Sequence, residues 1–110
     1  MDNITYEDFA KLDFRVGKIL EAQEIPESSK LLKLKVDFGS LGEKTVFAGI
    51  KKWYLPEDLE GKSFIFLFNL EPRPMMGAFS EAMIIAAEDE DGNCSLLAAD
   101  KEMASGTKVH

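Results

Sequence analysis

Leu32, Leu34, Val36 and Phe38 alternate with Lys33, Lys35 and Asp37. Successive side chains of a strand point to opposite faces, so this segment must lie with one face on a core and the other in water. Residues 39–42, with a glycine at each end, read as a turn. Residues 45–50 then repeat the pattern with Val46, Ala48 and Ile50 inward, which predicts an antiparallel hairpin.

Other strands add to this pair. Phe14, Val16, Leu20 and Ala22 alternate at period two, and the apolar phase slips across Gly17, Lys18 and Ile19, which predicts a curved strand with a bulge or bend there. Pro26 and the two serines after Glu27 end it in a polar turn. Residues 63–70 are apolar on both phases, as a strand covered on both sides requires, and Phe64, Phe66 and Phe68 read as core. Residues 83–87 and 94–99 read as further strands around an acidic turn at 88–93. Two short helices complete the pattern. One begins at Thr5 with Tyr6, Phe9 and Leu12 on one edge, and one runs from Pro56 to a stop at Gly61. Gly49 is read as a point where another backbone approaches. Five twisted strands bury a core and lose their edges by curling into a barrel, and a bulged first strand helps the closure; a sandwich of two small sheets is the other solution this pattern allows. The 110 residues fit one domain, spanning residues 1–110.

Composition narrows the chemistry. Cys94 has no internal partner, and the lone histidine is His110, so zinc sites and Cys/His or Ser/His nucleophile systems lack parts. The carboxylates sit in a helix start and a hydrophilic turn with nothing apolar to raise a pKa, and the glycines match no phosphate-binding loop. The expectation is no enzyme activity, no cofactor and no metal. No apolar run is long enough for a membrane span and the N-terminal stretch is acidic and polar, so the expected location is the cytoplasm, with no membrane partner.

The net charge of −7 argues against nucleic acid at first sight, yet the acid is concentrated at the ends. Between Lys11 and Arg73 there are 11 Lys/Arg against 10 Asp/Glu, so this stretch is about neutral and its lysines have two readings, a local positive patch or a solvated face. Lys51 and Lys52 stand beside Trp53 and Tyr54, a combination that neutralises phosphate and stacks a base, or equally one in which the aromatics pack and the lysines solvate. Residues 66–87 join two apolar strands through a Pro-rich loop. There Asn69 offers donor and acceptor, Arg73 a planar fork between Pro72 and Pro74, and Ser80 a small hydroxyl near Met83. The two prolines reduce the entropy lost when such a loop binds.

In order, the segments DFRVGKI, PESSKLLKLKVDFG, VFAGIKKWYLPEDLEGK and FNLEPRPMMGAFSEAMIIAAED resemble the tRNA-binding domain of methionyl-tRNA synthetases. That family is shared with the endothelial-monocyte-activating polypeptides, stand-alone structure-specific tRNA-binding proteins and a bacterial secretion chaperone. The resemblance runs from about Tyr6 to Lys108. It implies an all-β, five-stranded OB-fold barrel with short flanking helices, usually paired as a homodimer, that binds tRNA by shape and backbone. Position by position, it implies RNA contacts from Asn69, Arg73, Ser80, Met83, Lys51, Lys52, Arg15, Lys18 and Lys30. Its loop usually carries two further cations where this chain has Pro74 and Met76, and glutamine or glutamate, then glycine, where this chain has Glu81 and Ala82. The implied partners are tRNA, a second copy and a methionyl-tRNA synthetase catalytic chain. The alternative on the same fold is a homodimeric chaperone-like protein that binds peptides.

Overall fold

The computed structural model describes residues 1–110. In chain order the elements are α1 (Tyr6–Ala10), β1 (Phe14–Glu24), β2 (Leu32–Asp37), β3 (Glu43–Ala48), α2 (Pro56–Leu59), β4 (Ser63–Leu67), β5 (Arg73–Met75), β6 (Ala78–Ser80), β7 (Met83–Ile84), β8 (Ala86–Glu88), β9 (Cys94–Leu96) and β10 (Lys108–Val109). The main sheet runs β3-β2-β1-β4-β7, with β10 added to the start of β1; β5-β6 and β8-β9 are separate hairpins. This is the all-β, OB-type barrel expected, nearly closed on itself. No helix is long and apolar enough to cross a membrane.

The 32–38 alternation holds residue by residue: Leu32, Leu34, Val36 and Phe38 are buried while Lys33 and Lys35 are exposed. Val46, Ala48 and Ile50 join them, with Phe66 and Leu59 completing the centre. Phe38 stands edge-on to Phe66 at 5.3 Å and to Phe68 at 4.9 Å between ring centroids. Such edge-to-face pairs add attraction beyond burial alone.

The bend in β1 differs from the expectation in place and in cause. The register against β2 shifts between Ile19 and Glu21. Leu20 is the extra residue, 38% exposed, and Ile19 takes the interior at 0%. Gly17 serves a different purpose: a Cβ there would lie 2.6 Å from Val36 Cγ1 and 2.7 Å from Phe38 Cε1, so only glycine lets β1 cross the aromatic stack. Gly49, expected at a close approach, has open space around it. The close backbone approach is instead Gly39 with Gly106, where either added Cβ would fall 2.4 Å from a carbonyl oxygen of the facing segment.

Three other expectations shift. Residues 83–87 divide, Met83–Ile84 staying in the barrel and Ala86–Glu88 leaving it to pair with β9. The fully apolar strand ends at Leu67 rather than at residue 70. In α1, Thr5 Oγ1 accepts from the Asp8 N–H at 3.1 Å, the expected cap, but none of the helix's residues is buried. On its apolar edge Phe9 is partly covered while Tyr6 and Leu12 stand exposed.

Candidate functional site

The segment from Phe68 to Met83 is a hairpin on a built base. β5 and β6 pair antiparallel, Arg73 opposite Ser80 and Met75 opposite Ala78. The turn between them places Met76 at φ 48° and Gly77 at φ 82°. A two-residue turn of this kind, with left-handed backbone at both positions, is adopted more readily by asparagine or glycine than by methionine, so no strong turn signal marked this hairpin in the sequence.

Below the hairpin the barrel closes. The two edges of the sheet, β3 and the chain before β7, meet largely through side chains. Phe47 N–H donates to Ser80 Oγ at 3.0 Å, and Ser80 Oγ donates to the Ala82 carbonyl at 3.2 Å. Thr45 N–H donates to Glu81 Oε1 at 2.8 Å, and Glu81 N–H returns a bond to the Thr45 carbonyl at 2.8 Å. Ser80 is 4% exposed. Its hydroxyl stands in for a missing rung of the ladder, a role its position beside a loop did not disclose.

The other expected residues fall into distinct settings. Asn69 Oδ1 accepts from Asp13 N–H at 3.0 Å and its Nδ2 donates to the Lys11 carbonyl at 2.7 Å, clasping the start of the hairpin segment to the chain before β1. Arg15 joins the same clasp: its Nε donates to Asp13 Oδ1 at 2.7 Å and its Nη1 to the Gly106 carbonyl at 3.1 Å. Lys51 Nζ donates to the Ser28 carbonyl at 3.0 Å and lies 3.6 Å from Glu24 Oε1. Lys51 N–H also bonds the Lys30 carbonyl, so Lys30 and Lys51 share the corner between β1 and β2. Lys52 lies 5.5 Å from the Trp53 ring centroid. Trp53 and Tyr54 pack on the core, with Trp53 Nε1 donating to the Gly92 carbonyl and Tyr54 OH accepting from Leu96 N–H. Of the two readings of that tetrapeptide, the packed one describes the aromatics.

Arg73, Lys18, Lys30 and Lys52 are exposed and make no ion pair. Met83 is half exposed beside the hairpin. Sequence reasoning missed Phe79, 58% exposed on β6 and lining, with Lys33 and Thr45, the cleft between the hairpin and the outer face of β2 and β3. A usable signal existed: Phe79 precedes a residue with a hydroxyl suited to burial, and neighbours in a strand face opposite ways.

Asp13 is the charged centre of the clasp, bonded by Arg15 and by Lys108 Nζ at 3.2 Å. Burial pushes its carboxyl up, but the hydrogen bonds and charges of Arg15 and Lys108 together outweigh this and hold it below its ordinary 3.8. A carboxylate lowered by folding stabilises the fold above the unfolded-state value, and that stability is lost as pH falls through the folded-state value. Asp13→Asn is therefore expected to destabilise by about 1 kcal/mol at pH 7, with the difference vanishing as wild type is titrated down through pH 4 and below. Melting curves from pH 2 to 7 check this; a constant gap across the range would rule out the charge as its source. Elsewhere, Asp89 is held low by side-chain and backbone bonds from Asn93 inside the acidic turn, and burial with nearby Glu88 pushes the Cys94 thiol up, away from reactivity.

Comparison with known proteins agrees with the geometry. Residues 14–108 match the family model described as "Putative tRNA binding domain". Methionine–tRNA ligase of Methanocaldococcus jannaschii is 49% identical over 109 residues, covering 99% of this chain and 17% of that protein. The ligase of Porphyromonas gingivalis is 45% identical over 98% of this chain and 16% of its own length. The chain thus spans about a sixth of the length of these curated relatives. Among solved structures, a MetRS-related protein from Pyrococcus horikoshii superposes with a TM-score of 0.93 at 40% identity over 100% of both chains. Chaperone CsaA from Bacillus anthracis gives 0.89 at 36% identity, over 99% of this chain and 100% of that one.

Proposed function

This chain belongs to the tRNA-binding domain family, and on that premise we propose that it is a non-catalytic module that binds tRNA by shape and backbone. The observation that carries the reading is the extent of the family match, residues 14–108, which takes in the whole barrel and the hairpin. Binding is then a property of the barrel surface. In the proposed interface the hairpin presents Arg73 as a phosphate contact from one face and Phe79 as a stacking surface from the other, with Lys18, Lys30 and Lys52 as further free cations. Arg15, Asn69, Ser80 and Lys51 support that surface from beneath, since their polar atoms are already engaged. Met83 borders it.

With Pro74 and Met76 in place of cations, the expected affinity is about micromolar with a shallow salt slope. A tRNA mobility-shift titration at low and physiological salt tests this. Arg73→Ala should weaken binding roughly threefold to tenfold and flatten the slope, Lys51→Ala/Lys52→Ala less so, and Phe79→Ala should weaken binding with the slope unchanged. Absence of binding at low salt, or indifference to every substitution, defeats the reading.

We further propose that the module works as a homodimer alongside a methionyl-tRNA synthetase catalytic chain, raising that chain's effective tRNA affinity by a second contact. The exposed Tyr6 and Leu12 at α1 fit such pairing. A second reading is a chaperone-like homodimer that binds peptides. Met76, Phe79 and Met83, exposed by 46%, 58% and 41% in one segment, favour it, since methionine suits adaptable apolar contacts. Salt-insensitive peptide binding would decide for it.

A further inference from the structure

We propose that Lys44 is the positioning residue that keeps the hairpin segment in its binding shape, acting as a charged latch across the base of residues 69–80. The inference rests on the tRNA reading only for its consequence in binding. Lys44 lies on β3, outside the segment it holds. Its Nζ donates to the Phe68 carbonyl at 2.8 Å and to the Glu81 carbonyl at 3.4 Å, so one ammonium bonds the last residue before the segment and the first after it. The same nitrogen sits 3.7 Å from the Phe68 ring centroid. That ring packs on Phe38, in the centre of the core.

Lys44 makes no ion pair, which separates it from Lys35, bridged to Glu43 on the neighbouring strand. A half-buried ammonium without a carboxylate partner loses hydration that only good geometry restores. Two carbonyls and an aromatic face supply it here. Carbonyl acceptors from both ends of one loop fix the spacing of those ends, as no bond made by either end alone can do. The remaining side-chain bonds at the base are one-sided: Asn69 ties the start to the chain before β1, while Ser80 and Glu81 tie the end to β3. Backbone pairing joins the flanks at Leu67 and Met83 and the hairpin at Arg73 and Ser80, and between those two ladders Lys44 is the side chain that bonds both Phe68 and Glu81, so the orientation of Arg73 and Phe79 depends on its charge and reach.

Amide hydrogen exchange on the full chain, without RNA, tests the latch directly. In Lys44→Met, which keeps the stem and removes the donors, amides of residues 69–80 should exchange at least tenfold faster while those of β1, β2 and β4 hold their protection. Lys44→Arg should restore slow exchange. Lys44→Gln, able to donate to one carbonyl, should fall between, and it serves as the reporter if the methionine variant does not fold. In a tRNA titration Lys44→Met should weaken binding about tenfold with the salt slope unchanged, and arginine should rescue it. Unchanged exchange in 69–80, or loss of protection spread evenly over the barrel, overturns the latch. A salt slope reduced by about one with exchange unaltered also overturns it, making Lys44 a phosphate contact instead. If wild type binds no tRNA, the functional reading fails and the exchange measurements still decide the latch.

Discussion

Gly17→Ala should cost about 3 kcal/mol, a large share of the stability of a domain this size, because the single added carbon has nowhere to go. Its ideal position lies 2.6 Å from Val36 Cγ1, 2.7 Å from Phe38 Cε1 and 2.9 Å from Phe66 Cδ1. All three neighbours are fully buried, and the two rings are locked edge to face. Rotating either ring breaks that contact. Moving β1 outward instead strains its pairing on both sides, since Gly17 faces Phe64 on β4 and Lys18 faces Asp37 on β2. Overpacking of a close-packed core usually costs about 1–3 kcal/mol, and three simultaneous contacts put this case at the upper end. The melting temperature should fall by roughly 10–20 °C. Gly49→Ala is the matched control, because nothing lies within 4 Å of its added carbon, and it should shift stability by less than about 0.5 kcal/mol. Equal melting temperatures for the two variants would sink the packing argument.

The same pair of glycines marks the limit of what could be read in the sequence. Alternation told which residues of β2 and β3 face inward, because a strand's own geometry decides that. It could not tell which glycine lies under an aromatic stack, because the crowding comes from Val36, Phe38 and Phe66, distant in the chain. The bulge failed for a related reason. An apolar phase that slips over Gly17, Lys18 and Ile19 fits several registers, and the choice fell to the partner: Ile19 pairs with Val36 and Glu21 with Lys35, leaving Leu20 over. Asn69 and Arg15 show the limit at the site. Each was legible as a polar group at a strand end or near the barrel mouth, yet both converge on Asp13, Asn69 through its backbone and Arg15 through its carboxylate. Donor and acceptor inventories are local, whereas their satisfaction depends on tertiary neighbours. The Arg73 side chain has no hydrogen-bond or ion-pair partner in the fold, and its RNA contact stands as a proposal.

Ser80→Ala separates the scaffold from the contact surface, and it should cost about 2 kcal/mol. Removing the hydroxyl strands the Phe47 N–H inside the closed seam and takes a donor from the Ala82 carbonyl. A buried donor left without an acceptor carries its full desolvation penalty, about 1–3 kcal/mol, since water does not reach a position that was 4% exposed around its partner. The neighbouring bonds through Glu81 keep the seam from parting altogether, which limits the loss. A drop in melting temperature of roughly 10 °C is expected, together with faster amide exchange at Phe47. The effect on RNA follows from the same geometry. A hydroxyl that both accepts and donates within the seam is not offered to a ligand, so Ser80→Ala, assayed well below its melting temperature, should keep tRNA affinity within about threefold of wild type with an unchanged salt slope. Arg73→Ala should do the opposite, leaving the melting temperature in place while affinity and slope fall. If Ser80→Ala abolishes binding at a temperature where the barrel is intact, the hydroxyl touches RNA in a rearranged hairpin and the seam described here opens on binding.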